Sequence, residues 1–375
     1  MKKVSINSFV YTLDGVETTM KQFPHHMIRE IHEQPQAVQT TLTEGHREVR
    51  SVVEEIRSKN YEMIYITGSG TSYHAGLAGQ YALFTLTKLV TSLIPASEFP
   101  VWIPSAAKRR ALLIAISQSG ESTDVLAAAK AALEKEIDIL TVTNTPGSSL
   151  TELSRYILLT RAGEELAVTA TKSHAAQLAI LFLLSLELTR PEGFGFEDLE
   201  QLRKRLFEAP TLISKTISIN EDLMRELSNT HKDKSFFFLL GSGSNYATAL
   251  EGALKLKEAC NIFAEGFASR EFLHGPIQLL NKKTPVLFML SADEIDRFLE
   301  LMETIRKFGA PLISISEKSD RVEEVSTGLA CIPEGFPKIF SPILYVVPLQ
   351  LFAYYSSIVR NLNPDKPEKL TKVVK

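Results

Sequence analysis

Cysteine is scarce in this chain: 375 residues hold only two, Cys260 and Cys331. They stand far apart and in no metal-ligand spacing, which argues against a disulfide framework and for a reducing, cytoplasmic setting. An excess of positive charge is also missing. The net charge is -3, so no basic field recruits nucleic acid or an anionic membrane surface. No apolar run reaches the roughly 20 residues that a bilayer span requires. The longest, residues 175–188 and 343–352, are interrupted by polar residues or proline and read as buried helices. The start, MKKVSINSF, has lysines with no apolar stretch behind them and does not read as a signal peptide. What remains is an ordinary globular composition, 44% hydrophobic and 23% charged, and length for two or three domains.

Residues 1–44 read as an N-terminal appendage. NSFVYTLDG suggests a small strand and turn, and HHMIREIHEQPQAVQTTL an amphipathic helix broken by Pro35. From residue 45 the pattern alternates between apolar strands and helices: YEMIYITGSG, ALLIAISQSG and DILTVTNTPGSS each run from a strand into a turn. Strands alternating with helices predict a parallel sheet with helices on both faces. The pattern then recurs. FFFLLGSGSNYATALEGALKLKE parallels MIYITGSGTSYHAGLAGQYALF, and PVLFMLSADEIDRFLELMETIRKFG parallels ALLIAISQSGESTDVLAAAKAALEK. The expectation is α/β, with two tandem domains, 45–207 and 208–358, followed by an extended tail, 359–375.

The turn SQSGES packs Ser117, Gln118, Ser119 and Ser122 between an apolar strand and an alanine-rich helix. A strand-to-helix turn presents free N–H groups and the positive end of the helix dipole, so added hydroxyls make a phosphate cradle. GSGTSYHAG, with Thr71 and Ser72, is a second such turn. Neither carries the GK[ST] of a P-loop or the GxGxxG of a dinucleotide fold. Serine and threonine also cap helices, but capping uses one or two hydroxyls and this turn has more. The second repeat has SADEID at the matching place. Its acidic side chains would repel an anion, which puts the phosphate site in the first half alone.

In EGALKLKEACNIFAEG, Glu251, Lys255 and Glu258 fall at i, i+4 and i+7 on one helix face. By default that is an exposed, salt-bridged face. The apolar residues between them leave little solvent side, however, and Glu258 stands late in the helix, where the negative dipole end disfavours its charge. Such a group suits taking and giving a proton. His274, in SREFLHGP, is followed by Gly-Pro and so held in a rigid turn. Lys372, in the tail, is a residue that physics alone does not select.

Taken together, GSGTSYHA, SQSGEST, AVTATKSH, EGALKLKE, EFLHGP, VPLQLFAYY and NPDKPEKLTKV resemble the sugar isomerase (SIS) family over about residues 25–375. The likeness is to the isomerase half of glucosamine-6-phosphate synthases and their stand-alone relatives, the glucosamine-6-phosphate deaminases and fructosamine-6-phosphate deglycases. The resemblance implies that Ser72, Ser117, Gln118, Ser119 and Ser122 hold a phosphorylated amino sugar, with Thr71 and the backbone at Val168 nearby. It makes Glu258 the residue that moves a proton between C1 and C2. It makes His274 the ring-opening residue, donated by the neighbouring subunit of a homodimer, and Lys372 the tail lysine that contacts the open sugar. Glu251 and Lys255 line the same site. Ala170 departs from the synthase motif, where a serine would stand. No metal or organic cofactor is expected, because a proton shift needs only a positioned acid/base and a held phosphate. The synthases start with a catalytic cysteine and a glutaminase domain, and this sequence starts MKKVSIN. The expected reaction is therefore the deaminating one, glucosamine 6-phosphate to fructose 6-phosphate and ammonia. A deglycase, an isomerase subunit fed with external ammonia, and a non-catalytic sugar-phosphate sensor are the alternatives.

Overall fold

The structure, a computed structural model, describes residues 10–13, 16–19, 23–103, 110–190 and 195–373. Strands β1 (Val10–Leu13) and β2 (Val16–Thr19) pair antiparallel, and the expected turn at residues 14–15 lies outside the described residues. Helix α1 follows, His26–Lys59.

The first sheet contains β3 (Met63–Gly68), β4 (Val90–Pro95), β5 (Ala111–Ile116), β6 (Asp138–Thr143) and β7 (Tyr156–Leu159), all parallel, in the order β4-β3-β5-β6-β7. Its helices are α2 (Thr71–Thr87), α3 (Phe99–Trp102), α4 (Thr123–Glu134), α5 (Ser149–Glu152), α6 (Lys172–Leu188) and α7 (Phe196–Phe207). After α8 (Ala209–Thr230), the second sheet repeats the plan with β8 (Phe236–Gly241), β9 (Phe263–Ala268), β10 (Val286–Leu290), β11 (Leu312–Glu317) and β12 (Gly328–Ile332), in the equivalent order β12-β11-β10-β8-β9. Its helices are α9 (Ser244–Cys260), α10 (Ile295–Lys307), α11 (Asp320–Val325) and α12 (Pro342–Val359). The central strands β5 and β10 are buried along their whole length, which is why ALLIAI and VLFML are unbroken apolar runs rather than alternating ones.

One continuous core joins the inner faces of both sheets through α1, α2, α6, α8, α9 and α12. The outer faces keep separate cores under α4 and α10. The two long apolar runs lie in α6 and α12. The latter is long and apolar enough to cross a membrane, but 83% of it is buried in the protein.

Two expectations need correction. Pro35 does not break its helix: α1 runs through it, and the expected boundary at residue 44 falls inside α1. Proline removes the N–H that would bond the carbonyl four residues back. That carbonyl, on Ile31, instead accepts the side-chain amide of Gln34 at 3.1 Å, and the helix's buried apolar stripe runs on past this point. The N-terminus of α1 has no cap of its own. Asp365, from the tail, supplies one, accepting His26 N–H at 2.9 Å and Met27 N–H at 2.8 Å. Residues 26–44 are thus part of the body of the protein. Helix α7 ends at Phe207 and α8 begins at Ala209.

Candidate active site

At the carboxyl edge of the first sheet is a cavity of about 280 Å3. Thr71, Ser72, Ser117, Gln118, Ser119, Ser122, Val168, Glu258 and Lys372 all line it. The turn after β5 is shaped by Gly120 at φ 67°, where a side chain would collide with Ser148 Oγ 2.0 Å away. Ser117 Oγ accepts Gly120 N–H at 3.1 Å, and Ser119 Oγ accepts Glu121 N–H at 3.2 Å. Each hydroxyl so fixed keeps its O–H to donate. Ser122 occupies the N-cap position of α4 but makes no side-chain cap bond. Simple helix capping therefore does not account for this cluster.

Nor does it account for the other turn. Gly70, at φ 53°, leads into α2, and Thr71 turns its hydroxyl towards the second domain. Thr71 Oγ1 donates to Glu251 Oε1 at 3.1 Å and accepts from Lys255 Nζ at 3.0 Å. Ser72 Oγ accepts from Gln177 Nε2 at 3.1 Å.

The face of α9 is not the exposed one that spacing alone favours. Glu251 and Lys255 are fully buried. Lys255 Nζ lies 3.2 Å from Glu251 and donates to Glu258 Oε2 at 2.6 Å. His74 Nδ1 meets Glu251 Oε2 at 2.8 Å. Burial alone would push Glu251 up, but Lys255, His174 and His74 outweigh it and hold the carboxyl well below the usual range. The same pairing overcomes burial at Lys255 and holds its ammonium above the usual lysine value. Burial pushes nearby His174 down to about 4, so it is neutral at physiological pH. Glu258, at the cavity end of this network, has one oxygen fixed by Lys255.

The tail brings Lys372 to the opposite wall. Its Nζ donates to Glu165 Oε2 at 2.7 Å and to Ala167 O at 2.6 Å. Sequence reading missed Glu165. It is fully buried and accepts Thr171 N–H, Ser173 N–H and Ser173 Oγ–H at 2.9, 3.0 and 2.7 Å. Burial raises its pKa, but Lys372 and Ser173 prevail and hold it below the usual carboxylate range. The acidic pair Glu164–Glu165, one residue ahead of AVTATKSH, was the available signal. Val168 lines the cavity, yet its N–H is committed to Asp365 O at 2.9 Å. Ala170 also lines the cavity and offers only a methyl group. His274 does not line it. His274 is exposed, at the end of the short 3-10 turn Glu271–Leu273. Among the described residues, no group of three or more His, Cys, Asp or Glu side chains could hold a metal ion.

A family model, the SIS domain, matches residues 55–186 and again 232–360. The glutamine–fructose-6-phosphate aminotransferase (isomerizing) of Thermococcus kodakarensis is 40% identical over 372 residues, 98% of this chain and 60% of that protein. That of Methanothermobacter thermautotrophicus is 40% identical over 94% of this chain and 58% of its own length. The chain thus spans about three fifths of these curated relatives. Among solved structures, the C-terminal domain of glucosamine-fructose-6-phosphate aminotransferase from Francisella tularensis is similar at TM-score 0.84 and 28% identity, covering 92% of this chain and 99% of that one. A glucosamine-6-phosphate deaminase from Thermotoga maritima shares the fold at TM-score 0.72 and 24% identity, over 93% of this chain and 99% of its own.

Proposed function

The chain belongs to the SIS domain family, and on that premise we propose that it is an amino-sugar phosphate isomerase interconverting glucosamine 6-phosphate and fructose 6-phosphate plus ammonia. The observation that carries this reading is the shared cavity: a hydroxyl turn suited to phosphate faces the same space as Glu258 and Lys372. The names of the relatives support the substrate class. Ser117, Gln118, Ser119, Ser122 and Ser72 hold the phosphate and the adjacent hydroxyls. The cavity-facing oxygen of Glu258 takes the proton from C2 of the open sugar and returns it to C1. This converts the amino aldehyde, through its enolamine, into a C2 imine, which water hydrolyses to the ketone and ammonia. Lys255 and Glu251 fix Glu258, and the Lys372 ammonium donates to the open-chain oxygens. The deaminating direction is the one proposed.

The decisive test incubates the chain with glucosamine 6-phosphate and follows ammonia and fructose 6-phosphate. General acid–base catalysis contributes about 10²- to 10⁴-fold, so Glu258→Gln should lower kcat at least to that extent while calorimetric binding changes little. Full activity in Glu258→Gln would move the shuttle elsewhere, and binding without turnover in the unaltered chain would make the protein a sensor. His274 stands in an exposed turn away from its own cavity, which favours donation to a second copy. Mixed Glu258→Gln and His274→Ala chains should then regain part of the activity through hybrid sites. No recovery after demonstrated subunit exchange would mean that each site is built from one chain.

A further inference from the structure

Glu30, on α1, stands outside the cavity and is fully buried. A carboxylate inside a protein is costly unless it is paired or hydrogen-bonded. Among the described residues no cation hydrogen-bonds it directly: Arg29 Nη2 makes only a long ion pair, 3.9 Å from Oε1, and Lys172, which acts on it through space, is bonded to Glu33 at 2.6 Å. Glu30 spends its oxygens on backbone. Oε1 accepts Leu166 N–H at 2.5 Å, and the two oxygens share Ala167 N–H at 3.4 and 3.3 Å.

That segment is the one from which the tail lysine hangs. Glu165 and the Ala167 carbonyl hold Lys372, and the next residue, Val168, lines the cavity. Glu30 therefore grips from behind the stretch that grips Lys372 from the front. We propose that Glu30 is a positioning residue for Lys372, acting through the Leu166–Ala167 backbone. The proposal rests on the reading of Lys372 as a group that meets the open sugar.

A purely structural residue here would do better without charge. Burial, with the Glu165 carboxylate adding to it, pushes Glu30 up to about 7. The folded value lies above the unfolded one, so this group's contribution to stability is complete at low pH and is lost as pH rises through about 7. The charged form is thus the less stable one for the fold, yet it accepts both N–H groups best. The charged groups that face it are Arg29 on its own helix, Glu165 on the loop and Lys172 at the start of α6, and both cations are paired with Glu33. Only Glu30 among them has its oxygens on the Leu166 and Ala167 amides.

The test measures acetylation of Lys372 in the full chain by mass spectrometry, as a ratio to the exposed Lys366, from about pH 6 to about pH 8. In the unaltered protein the ratio should fall as pH rises and the grip tightens. In Glu30→Gln it should be about threefold higher at the alkaline end and flat with pH, as expected for a locally opened segment. Because small misplacements cost rate rather than binding, kcat should fall about tenfold with KM within about twofold. A folded Glu30→Gln chain with the ratio and pH course of the unaltered protein overturns the proposal. If Glu30→Gln does not fold, Glu30→Asp, one methylene shorter, decides by the same ratio. Absence of turnover in the unaltered chain would refute the proposed reaction, and the labelling ratio would still decide the positioning role.

Discussion

In the first domain the turn after β5 leaves Ser117, Ser119 and Ser122 around a cavity. In the second, the equivalent turn after β10 closes on itself. Ser291 and Glu294 form a reciprocal capping box, which satisfies the N–H groups that an anion would otherwise meet. Lys338 then lies 3.0 Å from both Asp293 and Glu294, so the carboxylates of this turn are paired with a cation of the chain itself. The strand order and the glycine turns are the same in both halves: Gly70 and Gly243 share positive φ values of 53° and 55°. Duplication supplied two cradles and the side chains closed one. The second domain contributes through α9 instead, whose Glu251 and Lys255 cross to Thr71 and His74 of the first.

The largest expected effect comes from importing the closed turn's chemistry into the open one. Ser119 corresponds to Asp293, and Ser119→Asp places a carboxylate where the proposed reading puts the phosphate. Like-charge contact costs several kcal/mol, so affinity for a phosphorylated sugar, measured by calorimetry, should fall at least about 10³-fold with Tm little changed. Retained affinity would move the phosphate site away from this turn.

A smaller effect should appear as an acid limb. Glu165 and Glu251 are both held below the ordinary carboxylate range. Their contribution to stability is therefore present above that range and is lost as pH falls through their folded values. Tm should decline below about pH 5, and Lys372→Met, which removes the partner of Glu165, should make the decline shallower. An unchanged acid slope in Lys372→Met would mean that this pair does not stabilise the fold.

The smallest effect should be in the closed turn. Lys338 is about one third exposed, so its pairs are worth little, roughly 1 kcal/mol after solvent screening. Lys338→Met should lower Tm by about 2–4 °C and leave kcat and KM unchanged. A kinetic effect would show that the second turn still takes part in catalysis.

Most of one wall of the cavity was legible in the sequence, because its residues are neighbours along the chain. SQSGES and GSGTS each combine a turn with hydroxyls, and a strand-to-helix turn at a sheet edge has a predictable outlook. The i, i+4, i+7 spacing on α9 likewise put Glu251, Lys255 and Glu258 on one face, though only the packed structure showed that face to be internal. On the opposite wall, Val168 and Lys372 were named only through the family resemblance, and Glu165 was missed. Glu165 and Lys372 are 207 residues apart, and Glu30 and Leu166 are 136 apart. No local pattern records such a pairing.

The sequence by itself determined the repeat, the alternation of strand and helix, and the hydroxyl turn, because these depend on periodicity and local backbone chemistry. Tertiary structure alone decided whether Pro35 ends a helix, whether a charged face of α9 meets water or another domain, and what holds the tail. Each of those outcomes is set by which groups burial brings together. Asp365 shows the reason compactly: an aspartate in a proline-spaced tail has no local partner, and in the fold it caps a helix that begins 339 residues earlier.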